Sequence, residues 1–259
     1  MVKQPIFLTP QQVSVLARCS LHYHFLQQSR PAGPDLVDRQ VRAAIQQLHA
    51  AGGPDRMPLA DCLQPVRHHS AAYNMVEGYY HQLQRDWPRL VAGNESMQLK
   101  ISIAGISLML HATIDRLDKT SDGGILAILF RTETDPPSSE TELRRDHALT
   151  IYHALVAAAY PLKRPVRVQT WWLAADHTIT IELSEDEYRH NLSDLREPVR
   201  ALARGEVVAR PGHYCETCSF QYHGCPVYSQ QADTENQSDD FVSPPSRGKI
   251  PPRNWVFKI

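Results

Sequence analysis

The chain has 259 residues, 42% of them hydrophobic, which is enough for one large domain or two small ones. Its formal net charge is −1, so no global positive field draws it onto nucleic acid, and any such surface has to be a local patch. No apolar run approaches the length of a membrane span, no signal-peptide core opens the chain, and five cysteines is an odd number for a disulfide framework; a cytoplasmic protein with no membrane partner is the expectation.

Thr9 followed by Pro10 reads as a helix cap, and Val13, Leu16, Ala17, Leu21 and Phe25 keep helical spacing over 11–27, with Cys19 inside that helix. A second helix is predicted from Asp35 to the Gly52-Gly53 stop, with Val41, Ala44, Ile45 and Leu48 on one face. Helical spacing continues over 59–90, interrupted at Pro65. The texture then changes. Residues 99–103 alternate like a half-buried strand, 106–117 read as a longer one, and 120–124 as a hairpin-type turn. The apolar run 125–130 suits a central strand buried on both faces. A helix over 139–160, strands over 166–173 and 177–183 and a charged helix over 185–204 follow. These elements give one domain over 1–228. Residues 229–259 are polar and Pro-rich and read as a disordered tail with an apolar end.

Cys215-Glu216-Thr217-Cys218 places two thiolates where both can face one metal centre, and Cys225 follows after six intervening residues. A tetrahedral zinc site or an iron–sulfur cubane needs a fourth ligand. Cys19 and Cys62 are both available, and spacing does not choose between them or between the two kinds of centre.

The stretch from Leu8 to Phe25, with its lone cysteine, resembles the opening helix of RecB/AddB-type PD-(D/E)XK nucleases, and the run from Gly205 to Cys225 resembles their C-terminal cysteine motif. The resemblance is shared with the CRISPR-associated RecB-like exonucleases. It implies a mixed central sheet flanked by helices, the restriction-endonuclease-like α/β core, with N-terminal helices and a cluster-binding C-terminal segment. It also implies a [4Fe–4S] cluster on Cys19, Cys215, Cys218 and Cys225, with Cys62 spare and zinc as the rival metal. Such a cluster would close a loop of about two hundred residues. The last spacer is one residue longer than is usual in the family.

The strand ending in Asp115-Arg116-Leu117-Asp118 resembles the family's G-x-x-D-R-x-D motif. The family cleaves DNA with Mg2+ or Mn2+, which two carboxylates hold because such ions prefer hard anionic oxygen. Asp115 matches the first acid. Leu129 stands where the second is expected, and Arg131 where the lysine is expected; arginine keeps the charge but cannot act as a base. Arg42 aligns with the histidine of the family's second helix. Tyr152 survives from a Gln-x-x-x-Tyr pattern in which Ala148 replaces the glutamine. Asp115, Arg131 and Tyr152 are thus the remnant of a catalytic site that no longer cuts. Asp146, Glu142, Glu140, Glu133 and Glu95 are the acids that a migrated metal site would use, the alternative being an active nuclease.

Arg196, Arg200 and Arg204 recur along one helix face, with Arg210 beyond, as a DNA-binding set. Interleaved Asp194, Glu197 and Glu206 argue for an ion-paired face. Lys163, Arg164 and Arg167 form a second basic group near Trp171 and Trp172, which suit either base stacking or the core. The expectation is a cluster-bearing, catalytically impaired nuclease-like protein that binds DNA or serves as a subunit of a DNA-processing complex. A purely structural, protein-binding subunit is the further alternative.

Overall fold

The computed structural model describes residues 5–29, 35–134, 139–221, 225–228 and 255–258. Eight strands occur among them, and six of the strands form one mixed sheet.

The organising strand is β3, Ile106–Lys119. It gives one edge to β2, Leu90–Ile103, antiparallel along its whole length. Its other edge is divided. β1, Ile6–Leu8, pairs in parallel with Leu108 to Leu110, and β4, Ile125–Arg131, pairs antiparallel with Arg116 to Lys119. Between those two pairings β3 is unpaired on that side, and the sheet opens there. β5, Val166–Trp172, continues the sheet in parallel with β4, and β6, His177–Ile181, closes it as an antiparallel edge.

Two cores lie against the two faces. Ile125, Ala127 and Leu129 of β4 pack with α1, Pro10–Arg18, and α7, His147–Ala159. Ile128 and Phe130, the alternate positions, pack with α3, Leu36–Ala50, α4, Leu59–Leu63, and α5, Ser70–Asp86. Alternation along a strand sends successive side chains to opposite faces, so a strand covered on both has to be apolar throughout. This is the mixed-sheet α/β core that the sequence implies.

Four elements differ from the spacing-based expectation. The first helix is broken: α1 ends at Arg18, Cys19 is extended (φ −159°, ψ 110°), and α2 runs Ser20–Gln28. The expected 139–160 helix is divided into α6, Glu140–Arg144, and α7. Asp146 caps α7 by accepting from the Ala148 N–H at 2.8 Å. The charged helix is likewise two, α8, Glu185–Asp194, and α9, Arg196–Ala203. β2 begins nine residues before its expected start, because pairing with β3 carries the strand through Gly93 and Asn94.

A small second sheet pairs β7, Glu206–Ala209, with β8, Trp255–Lys258. Of the expected tail, 255–258 are therefore strand; 229–254 and 259 lie outside the described residues. No helix among the described residues is long and apolar enough to cross a membrane.

Candidate nucleic-acid cleft and cysteine pocket

The opening beside β3 is a cleft of about 500 Å3. Its floor is β3 from His111 to Asp115, its walls are the end of β4, the start of α1 and α3, and Tyr152 of α7 stands inside it. The start of α1 is fixed by a reciprocal cap. The Gln12 N–H donates to the Thr9 hydroxyl at 3.2 Å, and the Thr9 N–H donates to the Gln12 side chain at 2.8 Å. Such a box contributes about 1 kcal/mol and sets where Gln11 points. Gln11 donates to the Tyr152 hydroxyl at 2.8 Å. Burial pushes the Tyr152 phenol above its ordinary range, and the Gln11 bond pulls it partly back.

Asp115 is held from two sides. The Phe130 N–H of β4 donates to one of its oxygens at 2.7 Å, and the Arg42 guanidinium donates to the other. Arg42 also donates to the Phe130 carbonyl at 2.9 Å and, through Nε, to both oxygens of Asp38 at 3.0 Å. Thr132 donates to Asp38 as well, at 3.2 Å. Burial raises the Asp115 carboxyl, while Arg42 and the Phe130 N–H draw it down. The cleft thus holds Asp115 in a closed set of bonds running through α3, β3 and β4. A second lobe of about 310 Å3, lined by Asp35, Asp38 and Glu133, lies beyond Arg42, and Arg131 lines both lobes. Among the described residues Arg131 has no ion-pair partner.

Leu129 lines the cleft from the α7 side and is buried in the core there. It supplies no oxygen. The acids named as replacements stand elsewhere. Asp146 is the α7 cap and accepts from Ser14 at 2.9 Å. Glu140 pairs with Arg144 at 2.8 Å, and Glu142 lies in the first turn of α6. Glu95 acts on Tyr160, which packs against the α7-side core. Glu133 alone reaches the second lobe. Among the described residues no three His, Cys, Asp or Glu side chains are placed to hold one metal ion.

The neighbours of Asp115 serve the opposite side. Arg116, 1% exposed, donates to Asp118 from Nε at 2.8 Å and Nη2 at 2.6 Å, and stands 6.0 Å from the Tyr79 ring centre. Its carboxylate partner is therefore Asp118 rather than Asp115.

The basic residues predicted for DNA are mostly engaged. Arg200 pairs with Glu197 at 2.5 Å and Arg204 with Glu206 at 2.7 Å. Arg210 donates to the Ala17 carbonyl at 3.3 Å; Arg196 is exposed at the start of α9. Arg167 pairs with Asp122 and Glu182. Trp171 and Trp172 are both 5% exposed, so they are core residues and offer no stacking face.

Cys19, Cys215, Cys218 and Cys225 line one pocket with Leu21, Phe25, Phe220 and Val227. The break between α1 and α2 turns Cys19 toward it, its Sγ 3.8 Å from the Val208 carbonyl. The Gly212 N–H donates to Cys215 Sγ at 3.4 Å, and Cys218 Sγ lies 3.9 Å from His22 Nδ1. Burial pushes the Cys225 thiol up, and Cys19 and Cys215 add to the effect. Cys62 is fully buried in the α3–α5 core, where burial pushes its thiol to about 11. The Tyr214 hydroxyl reaches the carbonyls of Arg18, at 2.6 Å, and Arg210, so both ends of the domain meet here.

A mixed sheet that opens over an aspartate, covered by helices on both faces, defines an α/β protein of nuclease-like architecture. The chain belongs to the PD-(D/E)XK nuclease superfamily, whose model matches residues 8–223. Two of the solved structures that it matches are these. SSO0001 has a TM-score of 0.46 at 14% identity, over 88% of this chain and 89% of that one. A candidate exonuclease from Eubacterium rectale has a TM-score of 0.46 at 10% identity, over 76% and 80%. No curated protein matches. Nucleases of this superfamily typically use divalent cations such as Mg2+ or Mn2+. The residues present do not fit such an ion: Leu129 gives the cleft an apolar side chain, and Asp115 is bonded to Arg42.

Sequence reasoning placed Asp115, Leu129, Arg131 and Tyr152 in one site, and all four line the cleft. It missed Asp38 and Gln11. The i, i+4 spacing of Asp38 and Arg42 was a visible signal for the first. Gln11 gave none, because its partner lies 141 positions away.

Proposed function

We propose that this chain is a RecB-type member of the superfamily that binds DNA in the cleft without cutting it, within a DNA-processing complex. In this reading a [4Fe–4S] cluster on Cys19, Cys215, Cys218 and Cys225 ties the two ends of the domain together. The observation that carries the reading is Leu129. A buried aliphatic side chain lines the cleft at the position that the family resemblance gives to the second metal-binding acid, while the cleft around it stays polar and keeps a cation in Arg131. Arginine positions a phosphate without supplying a base.

The cluster assignment draws on the donor set. Four cysteines and no carboxylate line the pocket, and the rest of its lining is largely apolar. Zinc is the rival metal at the same four cysteines, and among the described residues no three His, Cys, Asp or Glu side chains are placed to hold a single ion.

The deciding experiment incubates anaerobically purified, iron-loaded protein with labelled single- and double-stranded DNA in Mg2+ or Mn2+, beside Asp115→Ala. Salt-sensitive binding without cleavage is the expected result. Cleavage that disappears in Asp115→Ala would make it a working nuclease with displaced ligands. Absence of binding in low salt would leave a protein-binding role.

A further inference from the structure

Three elements direct oxygen atoms at one guanidinium, on the boundary between the cleft and its second lobe. Asp115 comes from β3, the Phe130 carbonyl from β4 and Asp38 from α3, and all three accept hydrogen bonds from the single guanidinium of Arg42. Two carboxylates and a carbonyl are hard oxygen donors of the kind that Mg2+ or Mn2+ takes. A guanidinium can satisfy the same oxygens through a fixed fork of N–H groups.

We propose that Arg42 is a built-in substitute for a divalent cation, offsetting part of the negative charge of Asp115 and Asp38 so that the site, with Arg131, takes a phosphodiester without metal. The part concerning DNA rests on the reading of the cleft given above; the part concerning the cation does not.

Charge and geometry support it. Without Arg42, Asp115 and Asp38 would present two negative charges to an entering phosphate. With Arg42 in place one positive charge is held between them, and Arg131 remains for the phosphate. A divalent ion would have to take oxygens already bonded and would sit against a like charge. Leu129 offers it nothing in return. The guanidinium is also firmly placed, because its Nε and both of its terminal nitrogens have acceptors.

The test is calorimetric titration of the full chain with Mn2+ in chelator-treated buffer. The wild-type chain is expected to show no saturable site that depends on Asp115. Arg42→Ala, which frees the oxygens, should gain a saturable Mn2+ site at least about tenfold tighter than any residual wild-type binding, and Arg42→Ala with Asp115→Asn should lose that gain. A wild-type site removed by Asp115→Asn overturns the proposal, and so does a folded Arg42→Ala that gains nothing. If Arg42→Ala does not fold, the wild-type and Asp115→Asn titrations decide alone by the same criterion. DNA affinity of the wild-type chain should be equal in EDTA and in Mg2+; a requirement for Mg2+ overturns the proposal. Failure to bind DNA under either condition would refute the reading of the cleft, and the Mn2+ titration would still judge Arg42.

Discussion

The Val208 N–H donates to the Ser20 hydroxyl at 2.7 Å, and that hydroxyl donates to the Val208 carbonyl at 3.1 Å. One buried side chain thereby clamps α2 to β7 across 188 positions, next to the pocket that the four cysteines line. Ser20→Ala removes both bonds and leaves two backbone groups to find other partners. The expected loss is about 1–2 kcal/mol in denaturant unfolding. If the proposed cluster fills that pocket, its iron should also be released faster to a chelator. An unchanged release rate, with stability lowered, would separate the clamp from the pocket.

The two candidate fourth ligands predict opposite outcomes. Cys19→Ser should abolish the visible absorbance and acid-labile sulfide of anaerobically purified protein. Cys62→Ser should retain both and instead lose roughly 1–3 kcal/mol, because it puts a hydroxyl into a fully buried apolar site. Retention of the chromophore in Cys19→Ser would show that the ligand set is wrong.

Arg131→Ala should weaken DNA binding by about tenfold across sequences and reduce the salt slope by about one, the signature of a single lost phosphate contact. Arg200→Ala should change little, since Glu197 already pairs with that side chain at 2.5 Å. Filter binding over a salt series distinguishes them. A larger effect at Arg200 would move the binding surface to α9.

How much of this the sequence revealed depended on the range of the interactions. The β4 strand was legible because burial on both faces forces an apolar run at 125–130. The break at Cys19 was hidden, because helical spacing continues across it from Leu16 to Leu21 and the chain turns only to meet β7. The start of β2 was hidden for a similar reason. Gly93 and Asn94 have the composition of a turn, and Asn94 does adopt a φ of 55°, yet the long partner β3 pairs with Gly93 and Glu95 on either side of it. In the site, Asp115 was legible from its motif. The role of Arg42 was not, since its partner lies 73 positions away and its alignment with a histidine says nothing of charge.

His49 gives the protein a specific acid sensitivity. Its Nε2 lies 2.6 Å from the Tyr79 hydroxyl, and a side chain on Gly93 would collide with its ring, so the imidazole is enclosed between α5 and β2. Burial, with Arg116 nearby, lowers its pKa from 6.5 to about 4. In the unfolded chain the imidazole takes its proton near its ordinary value, so between pH 6.5 and 4 the unfolded state binds more protons than the folded one. Stability is therefore fully present above pH 6.5 and falls as pH drops toward 4, by about 2–3 kcal/mol from this group. His49→Gln should flatten that part of the pH profile. A slope unchanged by the substitution would assign it to other groups.

Asp118 carries a larger stake than Asp115. It is 5% exposed and receives two hydrogen bonds from Arg116, which is itself 1% exposed. The nearest other carboxylate, Asp86, lies 3.9 Å from Arg116, too far to replace a bonded pair. Asp118→Asn would keep the shape but leave a buried guanidinium without its anion, at a cost of roughly 3–5 kcal/mol. Asp115→Asn should cost less, because Arg42 keeps Asp38 and is partly exposed to water. Chemical denaturation of the two variants side by side tests the ordering. Equal losses would mean that the cleft aspartate is as structural as the buried one, and that its retention says nothing about ligands.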